Sequence, residues 1–141
     1  MNNDRLKETL IRHEGIRLKP YKDSMGKITI GIGRNLDDMG ISTEEAGLMF
    51  LNDLDRVERE LLTNFKWLPA LSDVRQEVLM NMCFNLGITK LKKIVDFLSA
   101  VEDGDWTIAA IEMRDSLWAT QVGQRAEELA KAMLNNKFEE I

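Results

Sequence analysis

Residues 12–33 read RHEGIRLKPYKDSMGKITIGIG, and this stretch decides the fold. Upstream, residues 3–14 predict a helix, with Leu6, Leu10 and Ile11 on one face. Gly15 is a natural stop, and Pro20 excludes a continuing helix. Residues 27–33 then alternate, Ile28, Ile30 and Ile32 pointing one way and Thr29, Gly31 and Gly33 the other. Between the arms lies Asp-Ser-Met-Gly, a turn in which Gly26 is available for positive φ. The prediction is a helix ending in Glu14, then a tight hairpin with Asp23 at its bend and Thr29 on the returning strand. Glycine neighbours on the Thr29 face leave room for a ligand to approach the backbone. These residue types suit the cutting of a glycosidic bond by water. One carboxyl gives a proton to the leaving oxygen, and another polar group holds and activates the water.

Working outward, Asn35 to Gly40 reads as a short polar loop. Ser42 followed by Glu45 is a capping-box signature, opening a long helix from Thr43 to about Asn64. Its expected buried stripe is Ala46, Phe50, Leu54, Val57 and Leu61. After Pro69, Ser72 can cap a helix over 73–86 whose second half is apolar nearly all round, as in a central buried helix. Asn81 and Asn85 share one face of it. They fit a satisfied core network and a cleft lining equally well. Further helices are expected over 91–101, 106–114, 116–120 and 125–134, with Trp106, Ala109, Ala110 and Met113 facing the core. The tail 135–141 reads as frayed.

Composition narrows the function. A chain of 141 residues, 44% apolar, is one domain that can bury a proper core. A formal net charge of −5 without a basic run disfavours nucleic acid as the main ligand, because phosphate neutralisation dominates such binding. The polar N-terminus and the lack of an eighteen-residue apolar run predict no signal segment and no membrane anchor. Cys83 is the single cysteine and sits in an apolar run, so it reads as a small buried hydrophobe. His13 is the single histidine, which argues against a His-based metal site or a Ser-His-Asp triad.

Three blocks carry a resemblance. HEGIRLKPYKDSMGKITIGIG at 13–33, NMCFNLG at 81–87 and SLWATQVGQRAEEL at 116–129 resemble the T-even phage lysozyme family, glycoside hydrolase family 24. The resemblance implies an α+β, predominantly helical, lysozyme-like fold. A small β-hairpin lobe over 15–42 is joined by a long helix to a helical part comprising 1–14 and 43–141, all in one domain. It implies a monomeric muramidase that acts on bacterial peptidoglycan at the bond between N-acetylmuramic acid and N-acetylglucosamine, with inversion and without metal or cofactor. Such an enzyme stays in the host cytoplasm until a holin or lysis releases it. Carried over residue by residue, Glu14 is implied as general acid. Asp23 is implied as the carboxylate that positions water and stabilises the anomeric charge, and Thr29 as the water-holding hydroxyl. Arg125 is implied as the partner of Glu14, and Tyr21 as an ordering hydroxyl. Gly33, Asn35, Phe84 and Asn85 are implied to line the substrate site. Burial of Glu14 favours its protonated form and a neighbouring Arg125 opposes it.

The chain also departs from the family. The segment after Gly33 is short, so the small lobe is expected to be one hairpin. Arg34 stands where the family has a histidine, and the matching aspartate is Asp53. An Arg34–Asp53 ion pair is therefore expected to tie the small lobe to the long helix. Two alternatives stand beside hydrolysis. A lytic transglycosylase would use the same bond but attack with the sugar's own hydroxyl. A catalytically idle wall-binding or particle module would bind without turnover.

Overall fold

The structure, a computed structural model, describes residues 1–139. Glu140 and Ile141 of the expected frayed tail lie outside the described residues. Two compact units divide the chain, one of Met1–Met49 and one beginning at Phe50, the boundary falling inside a helix. The fold is α+β and predominantly helical, with one small antiparallel sheet.

The first unit opens with α1, Asn3–Glu14. Asn2 caps it, its side chain accepting from Arg5 N at 3.0 Å, and Gly15 ends it at φ +77°. A three-stranded sheet follows, in the order β1 (Arg17–Lys22), β2 (Ile28–Gly31), β3 (Arg34–Asn35). The β1–β2 register is irregular between Arg17 and Tyr21, where Pro20 has no N–H to give the ladder. The short helix α2, Leu36–Met39, comes next, and α3, Thr43–Asn64, begins after it. Ser42 and Glu45 cap α3 reciprocally, Glu45 N donating to Ser42 Oγ and Ser42 N to Glu45 Oε1.

Two expectations change here. The small lobe is more than one hairpin, because Arg34 and Asn35 turn back as a third strand. The stretch read as a polar loop holds α2, capped by Asn35 through Asp38 N. The isoleucine alternation also fails beyond Ile30. Gly31 and Gly33 both have positive φ and turn the chain, leaving Ile32 in a loop, 41% exposed. Thr29 is instead the residue that is buried, at 3% exposure. It pairs with Tyr21 on one side and Asn35 on the other, so it sits in the middle strand.

In the second unit α3 runs on to Asn64, and a 3₁₀ turn, Leu68–Ala70, leads to α4, Asp73–Leu86. Then come α5 (Ile88–Leu91), α6 (Val95–Asp103), α7 (Trp106–Asp115), α8 (Leu117–Val122) and α9 (Gln124–Asn135). The helix expected over 91–101 is two, broken where Ile94 leaves helical geometry at ψ 68°. The core gathers Leu61 from α3, Leu79 and Met82 from α4, Phe97 from α6, Met113 from α7 and Met133 from α9, all at 0% exposure. Of the predicted α3 stripe Val57 and Leu61 are buried, while Ala46 and Phe50 are exposed. Cys83 is buried as expected, and burial pushes its thiol up to about 11, so it is protonated and unreactive at neutral pH.

Arg75 ties three helices of this unit. From α4 its Nε donates to Met133 O at 2.8 Å and a terminal nitrogen to Leu134 O at 3.3 Å, both carbonyls of the last turn of α9. The same guanidinium lies 3.8 Å from the centre of the Trp106 ring on α7. Carbonyls at a helix end have no intrahelical partner, so a charged donor there satisfies them and favours the dipole. Arg75→Ala is expected to cost roughly 1.5–3 kcal/mol in urea denaturation. Arg75→Lys should recover only part of this, since an ammonium lacks the planar fork.

Candidate active site

Glu14, Asp23 and Thr29 all lie in the first unit. Glu14 is the last residue of α1 and is exposed. The chain then returns so that Gly33 faces it. A Cβ built on Gly33 would lie 2.9 Å from Glu14 Oε2 and 3.0 Å from its carboxyl carbon. The open space expected at Gly33 is therefore held by the Glu14 carboxyl, whereas Gly31 has nothing within 4 Å of such a Cβ.

Asp23 shapes the β1–β2 turn with one oxygen. Its Oδ1 accepts from Met25 N at 2.8 Å and Lys27 N at 2.9 Å, an Asx-type arrangement. Its own N–H donates to Lys27 O at 2.9 Å. Oδ2 makes no hydrogen bond among the described residues and is left for chemistry. Thr29 donates its hydroxyl to the same carbonyl, Lys27 O, at 3.0 Å. With its proton committed, Oγ1 has lone pairs left to accept a further hydrogen bond. Tyr21, opposite Thr29 in the register, carries the Arg17 guanidinium 4.3 Å from its ring centre.

Asn35 is used structurally. Its Oδ1 caps α2 and its Nδ2 donates to Asp38 Oδ2 at 2.9 Å. In the second unit the two asparagines of α4 are both partnered. Asn81 Oδ1 accepts from Arg125 Nε at 2.9 Å and from a terminal nitrogen at 2.7 Å. Asn85 Oδ1 accepts from Trp118 Nε1 at 2.8 Å. These bonds supply the network half of the even reading. Phe84 is 43% exposed and its ring centre lies 6.0 Å from that of Phe50.

The expected Arg34–Asp53 pair gives way to another. Arg34 forks onto Glu45, with both nitrogen–oxygen distances 2.9 Å, and also donates to Gly40 O at 3.0 Å. Asp53 instead lies 3.6 Å from Arg56, one turn along α3. Gly40 folds the chain so that the first turn of α3 meets Arg34, while Asp53 is eight residues, about 12 Å, farther along the helix. Glu45 was visible in the sequence as a capping residue, and its second role was missed. Arg34 with the Ser42 hydrogen bonds holds the Glu45 carboxyl well below its ordinary range, at about 2. Among the described residues no group of three His, Cys, Asp or Glu is placed to hold a metal.

The family model described as phage lysozyme matches residues 11–135. Over 165 aligned residues the chain is 33% identical to the pre-baseplate central spike protein Gp5 of Enterobacteria phage T4, covering 97% of this chain and 29% of that protein. It is 30% identical to probable T4-type lysozyme 2 of Dictyostelium discoideum, covering 86% of this chain and 88% of that one. An endolysin of Acyrthosiphon pisum secondary endosymbiont phage 1 is 31% identical over 104 residues, 72% of this chain and 69% of that one. The chain thus spans under a third of the spike protein and most of the Dictyostelium protein.

Two outcomes follow from this geometry. Gly33→Ala puts a Cβ at φ +70° and against the Glu14 carboxyl. It should cost about 1 kcal/mol or more in thermal unfolding, and a crystal structure should show the carboxyl displaced. Glu45, whose folded value is depressed, contributes stability above its unfolded value of roughly 4.3, and that contribution is lost as pH falls toward about 2. A carboxyl-carbon NMR titration should give a Glu45 midpoint near about 2, and Arg34→Met should raise it.

Proposed function

We propose, because this chain belongs to the phage lysozyme family, that it cleaves the β-1,4 bond between N-acetylmuramic acid and N-acetylglucosamine in bacterial peptidoglycan. The family carries lysozyme-type glycoside hydrolase activity toward peptidoglycan. The bond, the stereochemistry and the residue roles are the proposal. The observation that carries it is the turn at Lys27, whose N–H holds Asp23 Oδ1 and whose carbonyl receives the Thr29 hydroxyl, leaving Asp23 Oδ2 without a hydrogen bond among the described residues and the Thr29 oxygen with lone pairs to offer.

In this mechanism Glu14 gives its proton to the glycosidic oxygen as the bond to the anomeric carbon breaks. Positive charge builds on the sugar ring, and Asp23 Oδ2 stabilises it. A water donates one hydrogen to Thr29 Oγ1 and passes the other proton to Asp23 as its oxygen bonds the anomeric carbon. Attack from the face opposite Glu14 inverts that centre. Such a reaction needs carboxyl groups roughly 6.5–9.5 Å apart, against about 5–5.5 Å for a retaining pair. Tyr21, opposite Thr29 in the sheet, orders the site. The enzyme acts as a monomer on the wall, without metal or cofactor.

The similarity to a central spike protein favours a second reading of where the enzyme works. The same chemistry would then be carried on a phage particle and not by a free endolysin.

Glu14→Gln keeps the shape of the side chain but cannot donate an acidic proton. It should lower clearing of outer-membrane-stripped cells by ~10²–10⁴-fold with unchanged thermal stability. Mass spectrometry of wild-type digests should show hydrolytic ends. An anhydro end, about 18 mass units (one water) lighter, would identify a transglycosylase, and no product at all would identify an idle module.

A further inference from the structure

The peptide unit between Lys27 and Ile28 is gripped from both ends. Its carbonyl accepts the Thr29 hydroxyl at 3.0 Å and Asp23 N–H at 2.9 Å. Its N–H, on Ile28, donates to Asp37 Oδ2 at 2.8 Å. Register explains the second bond. Thr29 pairs with Asn35, and β3 ends there, so the Ile28 N–H has no strand beside it to receive it. Asp37, in the first turn of α2, takes the place of the missing ladder carbonyl. The next residue adds a second tie, since Asp38 Oδ1 accepts from Lys27 Nζ at 3.1 Å.

We propose that Asp37 is a positioning residue for the reaction, acting through the 27–28 peptide to orient the Thr29 hydroxyl and so the attacking water. The inference rests on the reading given under Proposed function. A charged acceptor on the N–H fixes the peptide plane and polarises it, which makes the carbonyl at its other end a stronger acceptor. That carbonyl decides where the Thr29 proton goes and therefore where its lone pairs point. Without Asp37 the peptide is held from one side alone, and the hydroxyl can turn its proton toward the water. Asp37 touches neither sugar nor water in this scheme.

The test uses the full chain on purified peptidoglycan, with kcat and KM measured for Asp37→Ala, Asp37→Asn, Thr29→Ala and the Asp37→Ala/Thr29→Ala double variant. Asp37→Ala should lower kcat by about 10–100-fold, a loss typical of misplaced groups, with KM little changed. Asp37→Asn retains a carbonyl acceptor for Ile28 N–H and should restore most of kcat. In the Thr29→Ala background Asp37→Ala should cost little more, because the hydroxyl through which it acts is gone. Multiplicative losses in the double variant, or near-normal kcat for Asp37→Ala, overturn the proposal while wild-type hydrolysis stands. Should Asp37→Ala unfold, failure of folded Asp37→Asn to exceed Thr29→Ala in activity overturns it equally. A wild-type chain that releases no product overturns the lysozyme reading itself, and this inference with it.

Discussion

One carbonyl, that of Lys27, receives two donors, and the proposed chemistry depends on it. A backbone acceptor has two lone pairs, so both bonds are satisfied at once. The consequence is that the turn carboxylate, held by the Lys27 N–H, and the strand hydroxyl, held by the Lys27 carbonyl, are fixed relative to the backbone of one residue rather than to each other. Neither side chain needs a packed apolar shell to hold its rotamer. This matters because the first unit has little core, and Thr29 is the residue of it that is fully buried. Hydrogen bonds replace packing as the source of precision in this unit. They are directional, which packing of small apolar side chains is not.

The same economy of means recurs around the sheet. Gly33 allows the Glu14 carboxyl to rest against the backbone, where a Cβ would collide with it. Glu45 closes the N-terminus of α3 and grips Arg34, so one side chain serves a helix end and a long-range ion pair. Asn35 ends β3 and starts α2. A short lobe has few residues to assign, and several carry two roles.

The second unit works by the opposite principle. Its helices bury a contiguous apolar core, and polar groups enter where a helix end or an indole N–H needs a partner. Arg75 and Asn85 are of this kind. An unsatisfied buried donor would cost more than a made bond gains, so these positions favour side chains that reach.

Sequence alone determined what short-range physics decides. The cap of α3 by Ser42 and Glu45, the Asp23–Gly26 turn and the stop at Gly15 each need partners within a few residues, and each formed as read. The buried Cys83 and the core faces of α4 and α7 followed from apolar periodicity. Tertiary structure decided the partners of long side chains and the fate of residues next to glycines. Arg34 reached Glu45 because Gly40 brings the start of α3 to it, and no spacing rule encodes that reach. Ile32 left its expected face because two positive-φ glycines turned the strand. The role of Asp37 was invisible for the same reason. It answers an N–H nine residues away, exposed by the early end of a strand, and such a vacancy exists only once the sheet has formed.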